Sequence, residues 1–424
     1  MRRDISAVAL KKMTVPLSLY LHIPFCGKKC GYCDFFSLDT ANVEEQKRTI
    51  DTIIEDTEEF LSILTPPILE TVYIGGGTPN SLPEGLFSEL LSRIRSILEP
   101  FGSPLEWTVE ANPEFLSEGQ LEVMKSAGVT RISLGVQSFD NEKLRLIGRG
   151  ASAKDAENAL LLLSEKWRGD WSADLITLLP GIRTGEASPT EDVDKILSYS
   201  PEHLSLYGLT LEPETPLFRE VKRGAVLLPE EGKGADTLRR QWNVLEEAGF
   251  THYEVSNFAK GREKESLHNF RYWRLAPYLG IGPSAASTLP GEYGPMRLRF
   301  CEDLGLYNDK TQKRAEERIE AESVSPYSFL IEHILTGLRT REGVSFTRIA
   351  EVFGRRNARH IFRKIEAKLD HYSSGGFIED RVERGSSTYE DFRVSDSGLM
   401  ILDSLILDLS AELDTVPLNR CRWP

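Results

Sequence analysis

The sequence predicts an α/β protein built around a mainly parallel sheet, followed by a smaller α+β module. Short apolar strands alternate with amphipathic helical stretches about six times between residues 16 and 256. After residue 326 the pattern changes to several helices with two short strands. Alternation of this kind is typical of parallel strands joined by crossover helices. It leaves an open sheet and a partial barrel as alternatives.

The six predicted strands are short apolar runs, and the stretches between them, such as VEEQKRTIDTIIEDTEEFLSIL, space apolar residues at helical intervals. In chain order the runs read LSLYLHI (18–22 and beyond), LETVYIGG (69–76), LEWTVEAN (105–112), TRISLGVQS (130–138), WSADLITLL (171–179) and HLSLYGLT (203–210). Parallel α/β sheets carry their sites at the carboxyl ends of the strands. We therefore expect functional side chains at those six ends.

Beyond the strand–helix region, the sequence predicts two further parts. Residues 308–326 are highly charged, which predicts a surface helix or linker. The helices and two short strands after Pro326, with a glycine-containing turn, suggest a winged-helix-like module. We therefore expect a core over residues 14–256, a connecting segment over 257–307 and a C-terminal module over 320–424.

Composition narrows the class of protein. The 424 residues carry a formal net charge of −14, which argues against a general nucleic-acid binder. No run approaches the ~18 apolar residues that span a bilayer, so any membrane contact is expected to be peripheral and through a partner. The few cysteines form no disulfide framework, and we expect a cytoplasmic protein.

Three of the five cysteines lie in one loop directly after the first predicted strand. Cys26, Cys30 and Cys33 have the spacing C-x3-C-x2-C. Iron–sulfur cubanes are held by cysteine thiolates and normally take four, so three thiolates would leave one iron open. A zinc site would favour paired C-x2-C units or added histidines. The simplest structural alternative is three unconnected buried cysteines.

The loop HIPFCGKKCGYC, with Tyr32 before the third cysteine, resembles the radical S-adenosylmethionine (SAM) superfamily. The longer string YLHIPFC, together with RISLGVQSF and LGIGPSA, is similar to its coproporphyrinogen oxidase-like branch. The resemblance implies a partial (β/α)6 TIM-type barrel. It also implies a [4Fe–4S] cluster on the three cysteines and SAM bound at the open iron.

The resemblance also implies a set of SAM-contacting residues, most of which fall at predicted strand ends. The consecutive glycines of GGGTP at residues 75–79 let the backbone approach a ligand closely, and the simpler alternative is a tight βα turn. Glu110 would need a polar partner if buried. The full predicted set is Tyr20, Tyr32, Gly76, Gly77, Thr78, Glu110, Gln137, Arg149 and Asp174.

Two families share this branch. One is the oxygen-independent coproporphyrinogen III oxidase, an enzyme that decarboxylates two propionates through a SAM-derived radical. The other is the HemW-like heme chaperones, which bind heme and are proposed to deliver it to haemoproteins. The oxidase carries a fourth cysteine two residues after the third, and this chain has Phe35 there.

Residues 268–273, HNFRYW, match the HNxxYW motif typical of the HemW-like family. The match makes His268, Asn269, Tyr272 and Trp273 heme-binding candidates. An imidazole can ligate iron, and flat aromatic faces suit a macrocycle. A loop histidine beside two packing aromatics is the simpler reading. We predict a HemW-like chaperone with a [4Fe–4S] cluster, SAM and heme, and recipient haemoproteins as partners; the oxidase is the alternative, and no catalytic residue is assigned.

Overall fold

The computed structural model describes residues 12–39, 42–180, 190–229, 231–291, 294–310, 315–379, 391–414, 416, 418 and 421–423. Its strands are β1 Leu17–Ile23, β2 Phe25–Cys26, β3 Leu38–Asp39, β4 Leu69–Gly76, β5 Glu106–Ala111, β6 Arg131–Gln137, β7 Asp170–Thr177, β8 His203–Gly208, β9 Thr251–Glu254, β10 Asn257–Ala259, β11 Tyr278–Ile281, β12 Ala286–Pro290, β13 Pro295–Phe300, β14 Ile319–Ser323, β15 Val344–Ser345, β16 Ile378–Glu379 and β17 Asp391–Val394.

The α-helices cover the sheet and form most of the C-terminal region. They are α1 Val43–Leu64, α2 Glu84–Leu98, α3 Glu118–Ala127, α4 Asn141–Leu146, α5 Ala153–Lys166, α6 Glu191–Leu197, α7 Pro216–Lys222, α8 Glu231–Glu247, α9 Leu267–Trp273, α10 Leu304–Tyr307, α11 Ala315–Arg318, α12 Pro326–Leu338, α13 Phe346–Phe353, α14 Arg355–Ser374, α15 Asp396–Leu399 and α16 Leu402–Leu413. No helix within the described ranges is long and apolar enough to cross a membrane.

Among the described residues, twelve strands form one sheet in the order β14-β13-β12-β11-β1-β4-β5-β6-β7-β8-β10-β9. Strands β1, β4, β5, β6, β7 and β8 are the six predicted ones, and neighbours among them pair in parallel. The mixed α/β fold with a parallel-rich sheet is thereby confirmed. Their carboxyl ends lie along one edge, where the sequence predicts the site.

Two features of the sheet differ from the prediction. The prediction of a surface helix or linker over residues 308–326 is wrong at Ile319–Ser323. These residues form the antiparallel edge strand β14, which pairs with β13. Its charged side chains are mostly exposed, and an edge strand tolerates them because it faces solvent. The sequence reading also missed β11, a seventh parallel strand beside β1.

Helix α1 shows how local sequence builds the outer layer. It begins where the Asn42 side chain accepts hydrogen bonds from the backbone N–H groups of Glu44 and Glu45. Ile50 and Ile53 on one face are fully buried in the sheet core. Burying such a side chain contributes about 1.5–3 kcal/mol, which fixes the helix on the sheet.

The C-terminal region has a hydrophobic core of its own. Helices α12, α13, α14 and α16 pack around buried side chains that include Phe329 and Leu405. Strands β15, β17 and β16 form a small antiparallel sheet in that order. Residues 380–390, which fall within the predicted strand pair, lie outside the described residues. Trp423 Nε1 donates a 2.9 Å hydrogen bond to the carbonyl of Leu275, which joins this region to the sheet.

A buried carboxylate on β5 anchors α9. Glu106 accepts from the backbone N–H groups of Leu267 and His268, at 3.2 and 2.9 Å. It also pairs with Arg131 Nε at 2.9 Å, and both side chains are almost fully buried. Because the charge satisfies a helix start and an arginine together, Glu106 fixes where α9 sits against the sheet.

We predict that Glu106→Gln destabilises the protein by about 3–5 kcal/mol, because the buried Arg131 would lose its closest counterion and keep only Asp170 at 3.9 Å. Urea unfolding measures this. The control is Glu89→Gln, which breaks a pair with Lys47 whose side chains are 40% and 51% exposed. That change should cost at most about 1 kcal/mol. Equal losses in the two variants would contradict the anchoring role.

Candidate functional site

A cavity of about 570 Å³ opens at the carboxyl ends of the parallel strands. Its size is typical of small-molecule sites. It brings together every residue of the predicted SAM set except Tyr20, and all three loop cysteines. The lining includes Cys26, Cys30, Tyr32, Cys33, Gly76, Gly77, Thr78, Glu110, Gln137, Arg149 and Asp174.

The glycine turn after β4 holds the cysteine loop against the sheet. Gly77 N–H donates to the carbonyl of Ile23 at 2.9 Å, and Thr78 N–H donates to the carbonyl of Phe25 at 2.7 Å. A Cβ atom on Gly77 would lie 2.6 Å from the Phe25 oxygen. Gly76 has a φ of +101°, which favours glycine. The turn therefore needs glycines to pack against its own chain.

Two side chains donate hydrogen bonds to the loop sulfurs. Thr78 Oγ1 lies 3.6 Å from Cys26 Sγ, and Arg149 Nη1 lies 3.5 Å from Cys30 Sγ. Burial raises the pKa of Cys26 and Cys33, so metal binding would have to expel their protons. Within the described residues, no three His, Cys, Asp or Glu side chains converge closely enough to hold a single metal ion. Three cysteines that line one cavity, two of them with hydrogen-bond donors to sulfur, fit a multi-iron cluster.

Arg149 ties the strand ends to the cysteine loop. Its Nη2 donates to Asn112 Oδ1 at 2.6 Å and to the Gly135 carbonyl at 2.5 Å, besides the contact with Cys30. Asn112 Nδ2 in turn donates to Thr78 Oγ1 at 3.2 Å. The buried Nε of Arg149 has no hydrogen-bond partner among the described residues. The network fixes the loop and leaves one donor for a ligand.

Two carboxyl groups, on β5 and β7, give the cavity an acidic wall. Tyr73 Oη and the Gly76 N–H donate to Glu110, at 2.7 and 3.0 Å. Ser133 Oγ donates to Asp174 at 3.0 Å. Burial raises the pKa of Glu110 to about 7 and that of Asp174 to about 6. Both groups would ionise more readily beside a cationic ligand, so this wall suits an amino group or ribose hydroxyls.

Gln137 and Tyr20 differ in how the structure places them. Gln137 ends β6 at a register shift and has a φ of +70°, a conformation that costs energy away from glycine. It lines the cavity. Tyr20 lies outside the cavity lining, and its hydroxyl hydrogen-bonds to Nδ1 of His22 at 2.9 Å. His22 Nε2 donates to the Phe36 carbonyl at 2.8 Å, so this pair supports the cysteine loop from behind.

The heme candidates of the HNxxYW motif lie away from this cavity. His268 is 1% exposed. Its Nδ1 lies 2.8 Å from Thr71 Oγ1 and its Nε2 lies 2.9 Å from Tyr272 Oη. Burial lowers the pKa of His268 to about 3. Both ring nitrogens are engaged, so iron ligation by His268 requires Tyr272 to move away, and heme contact by His268, Asn269, Tyr272 and Trp273 stays a prediction.

The sequence reading missed Glu106, Asn112 and Ser133 as site-building residues. Glu106 had a usable signal, because it is a charge at the start of a mostly buried strand and such charges are buried only with partners. Asn112 and Ser133 carried little signal. Their roles depend on Arg149 and Asp174 approaching from other strands.

We predict that Asp174→Asn becomes relatively more stable than the wild type as pH rises. The folded-state pKa of about 6 lies above the ordinary aspartate pKa of 3.8, so the native chain holds this proton more tightly than the unfolded chain. Wild-type stability therefore falls between about pH 4 and 6 and stays lower above that range. The gain from Asp174→Asn in urea unfolding should be about 1–3 kcal/mol larger at pH 8 than at pH 4. A gain independent of pH would contradict the burial of this charge.

We also predict that Gly77→Ala loses about 1–3 kcal/mol of stability through overpacking and takes up less iron on reconstitution. The added methyl would collide with the Phe25 carbonyl, which begins the cysteine loop. Gly85→Ala in α2 is the matched control, because nothing lies within 4 Å of its Cβ position. Thermal melts and iron assays compare the two. Full iron loading in Gly77→Ala would refute the clamping role of the turn.

This chain shares sequence and fold with known proteins. The Radical SAM superfamily model matches residues 20–187. The structure is similar to that of coproporphyrinogen III oxidase (HemN) from Escherichia coli, with a TM-score of 0.76 over 98% of this chain and 93% of that one. The two are 21% identical, so the likeness shows the fold alone.

Sequence relatives extend over nearly the whole chain. The heme chaperone HemW of Bacillus subtilis is 34% identical over 80% of this chain and 87% of its own length. HemW of Lactococcus lactis is 34% identical over 90% and 98% of the two chains. The mouse mitochondrial radical S-adenosyl methionine domain-containing protein 1 is 31% identical over 93% and 88%. The chain therefore belongs to the HemW family of the radical SAM superfamily.

Proposed function

We propose that this protein is a heme chaperone that binds heme and delivers it to haemoproteins. The observation that carries the proposal is the 34% identity to HemW of Lactococcus lactis over 90% of this chain and 98% of the relative. A match of that extent spans nearly the whole length of the relative. Heme is then the cargo, and the recipient haemoproteins are the partners.

We further propose that Cys26, Cys30 and Cys33 hold a [4Fe–4S] cluster and that SAM occupies the cavity beside it. When bound, the cluster would supply an open iron able to chelate SAM and donate an electron to it. The acidic wall of Glu110 and Asp174 would hold the cationic and hydroxyl groups of the ligand. Backbone amides of the glycine turn, with Gln137 and Arg149, would complete the contacts.

We also propose a finer description of the fold. The six parallel strands β1 and β4 to β8 form a partial (β/α)6 barrel of the radical SAM type, in which the first and last strands do not pair. We describe the region after residue 320 as winged-helix-like, because two short strands follow helices α13 and α14. Strand β14 straddles the start of that region and pairs with the large sheet.

The alternative function, coproporphyrinogen III oxidase, has less support. Where that enzyme carries a fourth cysteine, this chain has Phe35, which is 67% exposed and lines the cavity. The structural similarity to the oxidase shows a shared fold and gives no support for a shared activity. We therefore assign no decarboxylation to this chain.

We place the protein in the cytoplasm. All five cysteines are free, which suits a reducing compartment and a cluster that needs thiolates. Relatives with mitochondrial names would occupy a comparably reducing compartment. Contact with a membrane would come through a recipient protein.

Anaerobic reconstitution tests the cluster assignment. We expect about four irons per wild-type chain and a large loss in Cys26→Ser, since a cubane depends on its thiolate ligands. Cys301→Ser is the control, because this half-buried cysteine lies outside the loop. Equal iron content in the two variants would refute the assignment.

Hemin titration of the reconstituted full chain, followed by the Soret band, tests the chaperone function. We expect saturable binding near one heme per chain in the wild type. Cys26→Ser should bind hemin as the wild type does, because the cargo does not use the cluster cysteines. Absence of saturable binding by the wild type would overturn the proposed function.

A further inference from the structure

A second large cavity lies at the opposite end of the sheet from the cysteine loop. It measures about 510 Å³ and is bounded by Val15 and Pro16, which precede β1, and by Pro277, which precedes β11. The C-terminal region closes it with Val352 and Trp423. The cavity is therefore a cleft with apolar walls on both sides, between the sheet and the C-terminal region, and it is within the size range of small-molecule sites.

The cavity is rich in arginine. Arg271 and Arg274 come from α9, Arg348 from α13, and Arg422 from the C-terminal tail, against one acidic lining residue, Glu351. Arg271 pairs with Glu70 at 2.7 Å, and Arg274 pairs with Glu342. The side chains of Arg348 and Arg422 make no hydrogen bond or close ion pair to any residue in the described part of the chain, although Glu342 and Glu351 lie near enough to act on the charge of Arg348. The cleft thus has a surplus of positive charge that suits carboxylates.

A histidine without a partner lines the same cavity. His333 on α12 is 6% exposed, and its buried Nε2 has no hydrogen-bond partner among the described residues. The rings of Phe329 and Phe353 pack against it edge-on. Burial, followed by the charge of Arg348, lowers the pKa of His333 to about 3, so the imidazole is neutral. An unpaired buried nitrogen costs about 1–3 kcal/mol, which a ligand would recover.

We propose that this cleft is the heme site, an inference that rests on the chaperone function proposed above. The macrocycle lies against Trp423 and Val352, and its two propionates pair with Arg348 and Arg422. His333 Nε2 ligates the iron. A neutral imidazole, arginines that outnumber the nearby carboxylates and a partly apolar wall are the three things that an iron porphyrin dicarboxylate needs.

Helix α9 connects this site with the HNxxYW motif. His268 points into the sheet, where both its nitrogens are engaged. Arg271 and Arg274 on the same helix reach the cleft. The motif therefore shapes the heme site by holding α9 in place and presenting two arginines, while the iron ligand comes from the C-terminal region.

Hemin titration of the reconstituted full chain, with variants, tests this assignment. We expect His333→Ala to weaken hemin binding at least tenfold and to shift the Soret band. His360→Ala, an exposed histidine on α14, is the matched control and should bind as the wild type does. Metal-free protoporphyrin IX distinguishes iron ligation from propionate pairing. Arg348→Gln should weaken the binding of both porphyrins at least tenfold, and His333→Ala should weaken the binding of hemin alone.

Three results would overturn the site. The first is unchanged hemin affinity in both His333→Ala and Arg348→Gln while the wild type still saturates, which leaves the chaperone function standing. The second is a tenfold loss in His268→Ala alone, which moves the ligand to the α9 motif. The third is no saturable binding by the wild type, which removes the proposed function and the site with it. Arg348→Gln, a half-buried position, keeps the test informative if His333→Ala fails to fold.

Discussion

The close approach of two backbone segments at the carboxyl ends of the parallel strands positions the residues that line the cavity beside the cysteine loop. The amides of Gly77 and Thr78 bond to carbonyls at the start of the cysteine loop, at 2.9 and 2.7 Å. This approach leaves no room for a side chain at Gly77. Because the turn is fixed, Thr78 can also reach Cys26 and Asn112, and through Asn112 it meets Arg149. One steric constraint therefore orients three strand ends and a loop together.

Strand β1 connects two ligand regions of opposite character. At its carboxyl end lie thiols and carboxyls suited to a cluster and a cationic cofactor. Before its amino end lie Val15 and Pro16, in the wall of the arginine-rich cleft. Seven strand residues span about 20 Å. Cofactor and cargo can therefore be bound at the same time. Glu106 on β5 holds α9 beside the cleft by accepting a hydrogen bond from the backbone N–H of His268.

The sequence predicted the parts of this fold that depend on local periodicity. The six parallel strands and α1 follow from apolar spacing, and the placement of polar residues at strand ends follows from the topology. The sequence predicts a surface helix or linker where strand β14 lies. An exposed edge strand has no buried apolar face, so its sequence lacks the alternation of apolar and polar residues that indicates a strand. The cleft around His333 was out of reach, since its walls come from α9, α12, α13 and the tail, and only tertiary packing brings them together.

One chain would thus hold a cluster and a heme at opposite ends of the same strand. A crystal structure of the reconstituted full chain with hemin, with anomalous scattering measured at the iron edge, is the most direct test. We expect a group of iron peaks beside Cys26, Cys30 and Cys33, and a separate single iron beside His333 within the cleft. Heme iron in the cavity beside the cysteine loop, or heme iron ligated by His268, would show that the cleft is not the heme site.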